Sequence, residues 1–192
     1  MKKNIGNVNA AFPTPIVVVG AMVGGKPAWF EVAWVGIGDS DVVTISVTPS
    51  HYTCDGIRSE KALSINLVDE ALIPRADYVG IVSGTKTDKS RVFDWTPASN
   101  GAPMIDDAPV SMALDLLDIY DANGCYLFIA KVRETFAREE LLDEKGKLDF
   151  SKYRPVLFEP GFRYLRTGDV IGPCVEPGKA YAEKMQDGDC KK

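Results

Sequence analysis

Residues 83–89 read Ser-Gly-Thr-Lys-Thr-Asp-Lys. Ser83, Lys86 and Lys89 make a compact polar cluster beside Gly84. Lysines bring charge and hydroxyls bring donors, the groups that a phosphate or a polyhydroxyl chain needs. A short solvated loop has the same composition, so residue type alone leaves both readings open. Asp88 reads as a brace for the loop. A second candidate is Ser50, His51 and Thr53, placed where a strand turns into a helix. Such a turn offers free backbone N–H groups and the positive end of a helix dipole, which seat a phosphate. Plain N-capping by Ser50 is the alternative.

Other chemistries are thinner. His51 is the only histidine, so a His-rich metal site is excluded and no metal ligands are assigned. A Ser-His-Asp hydrolase would need His51 as its base, and the adjacent Ser50 faces it badly. Cys54 shares a face with a helical His51, but a buried structural cysteine is the commoner use of the residue. Asp106-Asp107 is a carboxylate pair whose side chains point apart on an extended chain. No catalytic residue follows from the sequence.

The elements that must position these groups are mostly strands. Residues 15–23 are apolar and β-branched, Gly24-Gly25-Lys26 signals a tight turn, and residues 27–35 run back. That is a hairpin pattern. Residues 36–41 read as a loop, 42–47 as a strand, and 51–61 as a helix with Ser50 as N-cap. Residues 62–68 alternate like a strand. Residues 70–79 read as a short helix containing Pro74, 80–89 as an exposed loop, and 95–107 as a long surface excursion. Residues 109–120 and 126–136 form a second hairpin about Asn123-Gly124. Short strands broken at Pro160-Gly161 follow, then a helix over 179–185. Many β-rich runs and few helices predict a mainly β, antiparallel barrel with added helices.

The chain has 192 residues, 45% of them hydrophobic, with a net charge of −5. It suits one domain: an arm over 1–13, the body over 14–166 and an extension over 167–192, packed on the domain or a partner. The acidic balance argues against nucleic acid. The apolar run at 16–23 is too short for a membrane span and lacks signal-peptide architecture, which makes the cytoplasm the expectation. Cys54, Cys125, Cys174 and Cys190 lie far apart and read as reduced thiols. Val18, Val19, Trp29, Phe30 and Trp34 crowd the first hairpin with more apolar surface than one small barrel is expected to bury, which predicts a homodimer.

The ordered set Pro-Ile-Val-Val-Val-Gly, Gly-Lys-Pro, Val-Ala-Trp-Val-Gly, Ile-Ser-Val, Tyr-Thr and the 83–89 loop resembles the flavin reductase-like, FMN-binding split-barrel family, on the flavoredoxin side. The resemblance runs from about residue 14 to 166. It implies an antiparallel, Greek-key split barrel that binds FMN. Ala33, Trp34, Val35 and Gly36 would lie along the ring. Ser50, His51 and Thr53, with Ser83, Gly84, Lys86 and Lys89, would hold the phosphate and ribityl chain. It implies NAD(P)H-linked flavin reduction or electron transfer, a homodimer with the flavin near its interface, and a redox partner protein as an outlet. The Arg163-Tyr164 segment or residues 95–107 of one chain would cover the flavin of the other. Many relatives carry arginine at the place of His51, and a histidine near the place of Asn123-Gly124-Cys125. These differences keep two other functions in view: a non-catalytic FMN carrier, and a cofactor-free interaction protein on the same barrel.

Overall fold

The computed structural model describes residues 1–186; Cys190 and the end of the 167–192 extension lie outside the described residues. The strands are β1 (Thr14–Pro15), β2 (Val17–Val23), β3 (Lys26–Val32), β4 (Val35–Asp39) and β5 (Val42–Val47). Helix α1 (Tyr52–Glu60), β6 (Ala62–Leu67) and α2 (Ile73–Ile81) follow. Next come β7 (Trp95–Pro97), β8 (Pro103–Ile105), β9 (Val110–Asp121), β10 (Tyr126–Ala137), β11 (Leu157–Glu159), β12 (Arg163–Leu165) and α3 (Glu176–Gln186). Seven strands form one sheet in the order β3-β2-β6-β9-β10-β5-β4, every pair antiparallel. The sheet curls without closing: β3 and β4 are its two ends. This is the expected split barrel.

Both predicted hairpins form. Gly24 and Gly25 have φ of 57° and 79°, and Asn123 and Gly124 have 57° and 92°. Positive φ at both central residues is what a two-residue turn between twisted strands requires. The loop expected over 36–41 is instead β4 through Asp39, with a tight turn into β5. The 95–107 excursion folds as a small hairpin, β7 on β8.

The sheet is buried on both faces near β2 and β6. Val17, Val19, Phe30, Ile45, Leu63, Ile65, Leu114 and Phe128 fill the barrel. Val18 and Trp29 point the other way, onto Leu72, Ala76 and Val79 of the α2 region and onto Phe93 and Ile105. The chain therefore covers with its own α2 the apolar face that was expected to need a partner. It also explains why residues 16–19 do not alternate. β6 is buried at every position, so its apparent alternation marks two different interiors. Its outward polar residues make a closed network. Asn66 Nδ2 donates to Val18 O and Ser64 Oγ, both at 3.0 Å; its Oδ1 accepts from Ile105 N at 2.9 Å and Ser111 Oγ at 2.8 Å. This network ties the β7–β8 hairpin to the barrel.

Asn66→Ala should leave Ile105 N–H and its neighbours unpaired in the interior, at a cost of about 2–4 kcal/mol. Urea denaturation measures it; a change under about 0.5 kcal/mol would show that the network does not hold the hairpin.

Candidate functional site

A cavity of about 520 Å³ opens at the split. It lies where the chain leaves β3 and starts β4. Phe30, Val32, Ala33 and Trp34 form one wall, Ser46, Val47 and Thr48 another, and Phe158 and Phe162 an aromatic rim. Trp34 is 52% exposed and packs edge-on against Phe12 at 5.2 Å. Its carbonyl accepts from Ser46 N at 2.9 Å, which stitches the crossing segment to β5. Val35 and Gly36 continue into β4 and do not line the cavity.

A second cavity, about 220 Å³, adjoins the first through Phe30, His51, Gly80 and Ile81. It brings together Ser50, His51, Thr53, Ser83, Gly84 and Lys89, so the two polar segments read separately in the sequence meet here. Its floor is the start of α1. The N-cap is His51 and not Ser50, and no side chain caps the first turn. A helix N-terminus left this way favours an anion. Gly84 passes so close to Tyr52 that a Cβ would stand 2.9 Å from its ring.

Lys89 is not on an exposed loop. It is 7% exposed, and Nζ donates to Val79 O at 2.8 Å and Val82 O at 3.1 Å. It thus caps the C-terminal end of α2, where a cation is favoured. Burial lowers its pKa to about 8. Lys86 goes elsewhere: it lines a third cavity with Tyr52, Lys26 and Asp88. Asp88 braces that side by accepting from Ser90 N at 2.9 Å and Lys26 Nζ at 3.0 Å.

His51 stacks on Phe30 at 5.2 Å, and burial followed by the Lys89 charge lowers its pKa. It is therefore neutral at pH 7. Cys54 is fully buried, and burial pushes its thiol up to about 11. A thiol held protonated is not a nucleophile, which removes the Cys–His pairing.

Sequence reasoning missed Glu31 and Asp77, and it placed Tyr164 only as a cover for a partner's site. All three line the larger cavity. The Tyr164 hydroxyl lies 3.2 Å from Glu31 Oε1 and 3.0 Å from Asp77 Oδ1. Burial pushes the Glu31 carboxyl up to about 7, opposed by the Tyr164 hydrogen bond and aided by the charge of Asp77. The available signal was a lone carboxylate between Phe30 and Val32.

The fold is thus an open antiparallel barrel with an aromatic slot at its split and a polar cavity beside it at the start of α1. The chain belongs to the flavin reductase-like family: the model of the flavin reductase like domain matches residues 9–159. A flavoredoxin from Methanosarcina acetivorans superposes with a TM-score of 0.86 at 28% identity, over 94% of this chain and 100% of that one. The flavoredoxin of Desulfovibrio vulgaris (Miyazaki F) gives 0.84 at 29% identity, over 93% and 100%. A curated protein of Aeropyrum pernix, itself uncharacterised, is 23% identical over 153 residues, which is 75% of this chain. The chain spans only about half of that relative, 56% of its length.

Lys89→Met should destabilise the protein by about 1–3 kcal/mol, because two carbonyls at the end of α2 lose their donor. Lys86→Met should stay within about 0.5 kcal/mol. Thermal denaturation separates the two, and equal effects would show that Lys89 is not the cap.

Stability should also depend on pH in two opposite windows. Glu31 has a folded pKa of about 7 against a usual 4.5. The folded chain then binds more protons between those values, so this contribution is complete below the lower value and is lost as pH rises through the higher one. Lys89 has a folded pKa of about 8 against 10.5. There the unfolded chain binds more protons, and stability rises with pH across that window. Glu31→Gln should flatten the first window only, as read from denaturation midpoints between pH 4 and 10.

Proposed function

We propose that this protein is an FMN-binding oxidoreductase of the flavoredoxin kind, taking electrons from NAD(P)H and releasing them as reduced flavin or passing them to a redox partner protein. The observation that carries the reading is the pair of adjoining cavities, an aromatic slot at the split and an anion seat at the start of α1. The residues fit FMN. The slot takes a flat ring between Phe30, Ala33, Trp34 and the Phe158–Phe162 rim, with the backbone of the crossing segment to orient it. The seat takes the phosphate with the α1 N–H groups, the hydroxyls of Ser50, Thr53 and Ser83, and the Lys89 ammonium. Gly84 keeps the backbone close against Tyr52, where a side chain would narrow the seat.

FMN, when bound, supplies hydride and single-electron chemistry. The chain supplies binding, orientation and a water-poor wall. No side chain is needed as nucleophile, which agrees with the protonated Cys54 and the stacked, neutral His51.

The active form is proposed to be a homodimer. Trp34 and Phe162, which line the slot, stand 52% and 90% exposed, and Ile37 on the edge strand β4 stands 88% exposed. Apolar groups grouped this way mark an interaction surface. No helix among the described residues is long and apolar enough to cross a membrane.

The purified chain should turn yellow with FMN and bleach on anaerobic addition of NADH or NADPH. Yellow protein that neither nucleotide bleaches would select the flavin-carrier reading, and a chain that stays colourless with FMN would overturn both. Lys89→Met should weaken FMN binding by about ten- to a hundredfold, the worth of one charge-assisted bond, with Lys86→Met unchanged. Light scattering of the loaded protein should give a dimer; a monomer that keeps its FMN would remove the shared site.

A further inference from the structure

We propose that Glu31, Tyr164 and Asp77 form a proton relay between the larger cavity and solvent, with Glu31 as the carboxylic acid at the cavity end. A tyrosine hydroxyl has one proton to donate and lone pairs to accept with. Tyr164 Oη stands within hydrogen-bonding distance of two carboxyl oxygens, 3.2 Å from Glu31 and 3.0 Å from Asp77. With both carboxyls ionised, one of these contacts would set lone pair against lone pair. One further proton resolves it: Glu31 O–H donates to Tyr164 Oη, and Tyr164 O–H donates to the Asp77 carboxylate.

The proton belongs on Glu31 because the two carboxyls differ in surroundings. Asp77 is exposed, and water solvates its charge. Glu31 is half-buried on β3 and lies against α2, where a Cβ at Gly80 would come within 2.9 Å of Oε2. Burying an ionised carboxylate there is costly, and the group keeps its proton instead. The titratable groups facing Glu31 are Asp77 from α2, Tyr164 from β12 and, across the cavity, His51 ahead of α1. Strand β2, paired with β3, has no titratable side chain. All three residues line this cavity, and of the two carboxyls Asp77 is the exposed one, so it is the member that exchanges protons with water.

Such a relay suits a ring ligand that becomes basic when it takes up electrons. The Glu31 O–H bond breaks, and the proton forms a new bond to the reduced ligand. Once Glu31 is a carboxylate, the Tyr164 hydroxyl turns from Asp77 to Glu31 and passes its proton there, and it receives in return one that Asp77 has taken from water. One proton moves from solvent to ligand and no electron travels along the relay; the electrons come from the nicotinamide-class donor. This delivery role rests on the flavin reading, whereas the proton count does not.

Two measurements test it. The first is a carboxyl ¹³C titration of the full chain labelled at glutamate, with Glu31 assigned by its loss in Glu31→Gln. Glu31 should titrate about two pH units above the exposed glutamates. Asp77→Asn should lower its midpoint, because a neighbouring negative charge is removed. A Glu31 midpoint among those of the exposed glutamates would overturn the relay. The second is a redox titration of the FMN-loaded protein across pH. The dependence of the midpoint potential on pH should change slope at the Glu31 midpoint, and Glu31→Gln should remove that break. Identical curves for the two proteins would overturn delivery. A chain that binds no FMN would end the flavin reading and delivery together, and the carboxyl titration alone would then decide whether the relay exists.

Discussion

Ala33 and Trp34 carry the chain from one end of the sheet to the other, and the site follows from that passage. Strands β3 and β4 are consecutive in sequence yet terminal on opposite sides of the sheet. The crossing residues cannot join either ladder fully. Ala33 O instead accepts from Val35 N at 3.0 Å, and Trp34 O accepts from Ser46 N at 2.9 Å. A sheet that closed would pair β3 with β4 and remove its own edges. This one stays open, and the gap is lined by whatever β3, β5 and the neighbouring helices present. The slot is thus a property of the topology before it is a property of any side chain.

The gap persists because both flanking elements are anchored from behind. On the inner side, Phe30 and Val32 sit in the barrel core with Ile45 and Val47. On the outer side, Val18 and Trp29 pack on the α2 region. Glycines set how closely these layers approach. At Gly20 a Cβ would collide with the Trp29 ring, and at Gly56 with the backbone of Met22. Helix α1 therefore lies directly on β2, and its N-terminus is held at the mouth of the slot. The position of the anion seat is set by that contact and by Lys89, which fixes the other end of the same seat by capping α2.

Much of this was legible in the sequence where local chemistry decides. Gly24-Gly25 and Asn123-Gly124 announce turns that need positive φ, and the structure uses them so. The polar character of residues 50–53 and 83–89 was legible too, but not their meeting, because a seat made by two distant segments has no local signature. Strand β4 was hidden because Gly36, Gly38 and Asp39 look like loop residues; edge pairing to β5 overrides that preference. Lys89 looked like a solvated loop residue, since nothing local marks which of two nearby lysines will cap a helix end. Glu31, Asp77 and Tyr164 come from three elements, Tyr164 lying 133 residues from Glu31 and 87 from Asp77. Only the fold brings them together.

The two cavities carry opposite electrostatics, and the difference has a physical origin. The seat combines a helix N-terminus with Lys89, both favouring negative charge. The slot has Glu31 and Asp77 and a histidine held neutral by burial and by that same Lys89. One lysine therefore serves three purposes: it caps α2, it charges the seat, and it adds to the burial that keeps His51 from becoming a cation. Had His51 been protonated, its charge beside the slot would have favoured an ionised Glu31. Burial chiefly keeps the proton on Glu31, and with His51 neutral no cation among the cavity-lining residues offsets Asp77, whose charge works the same way.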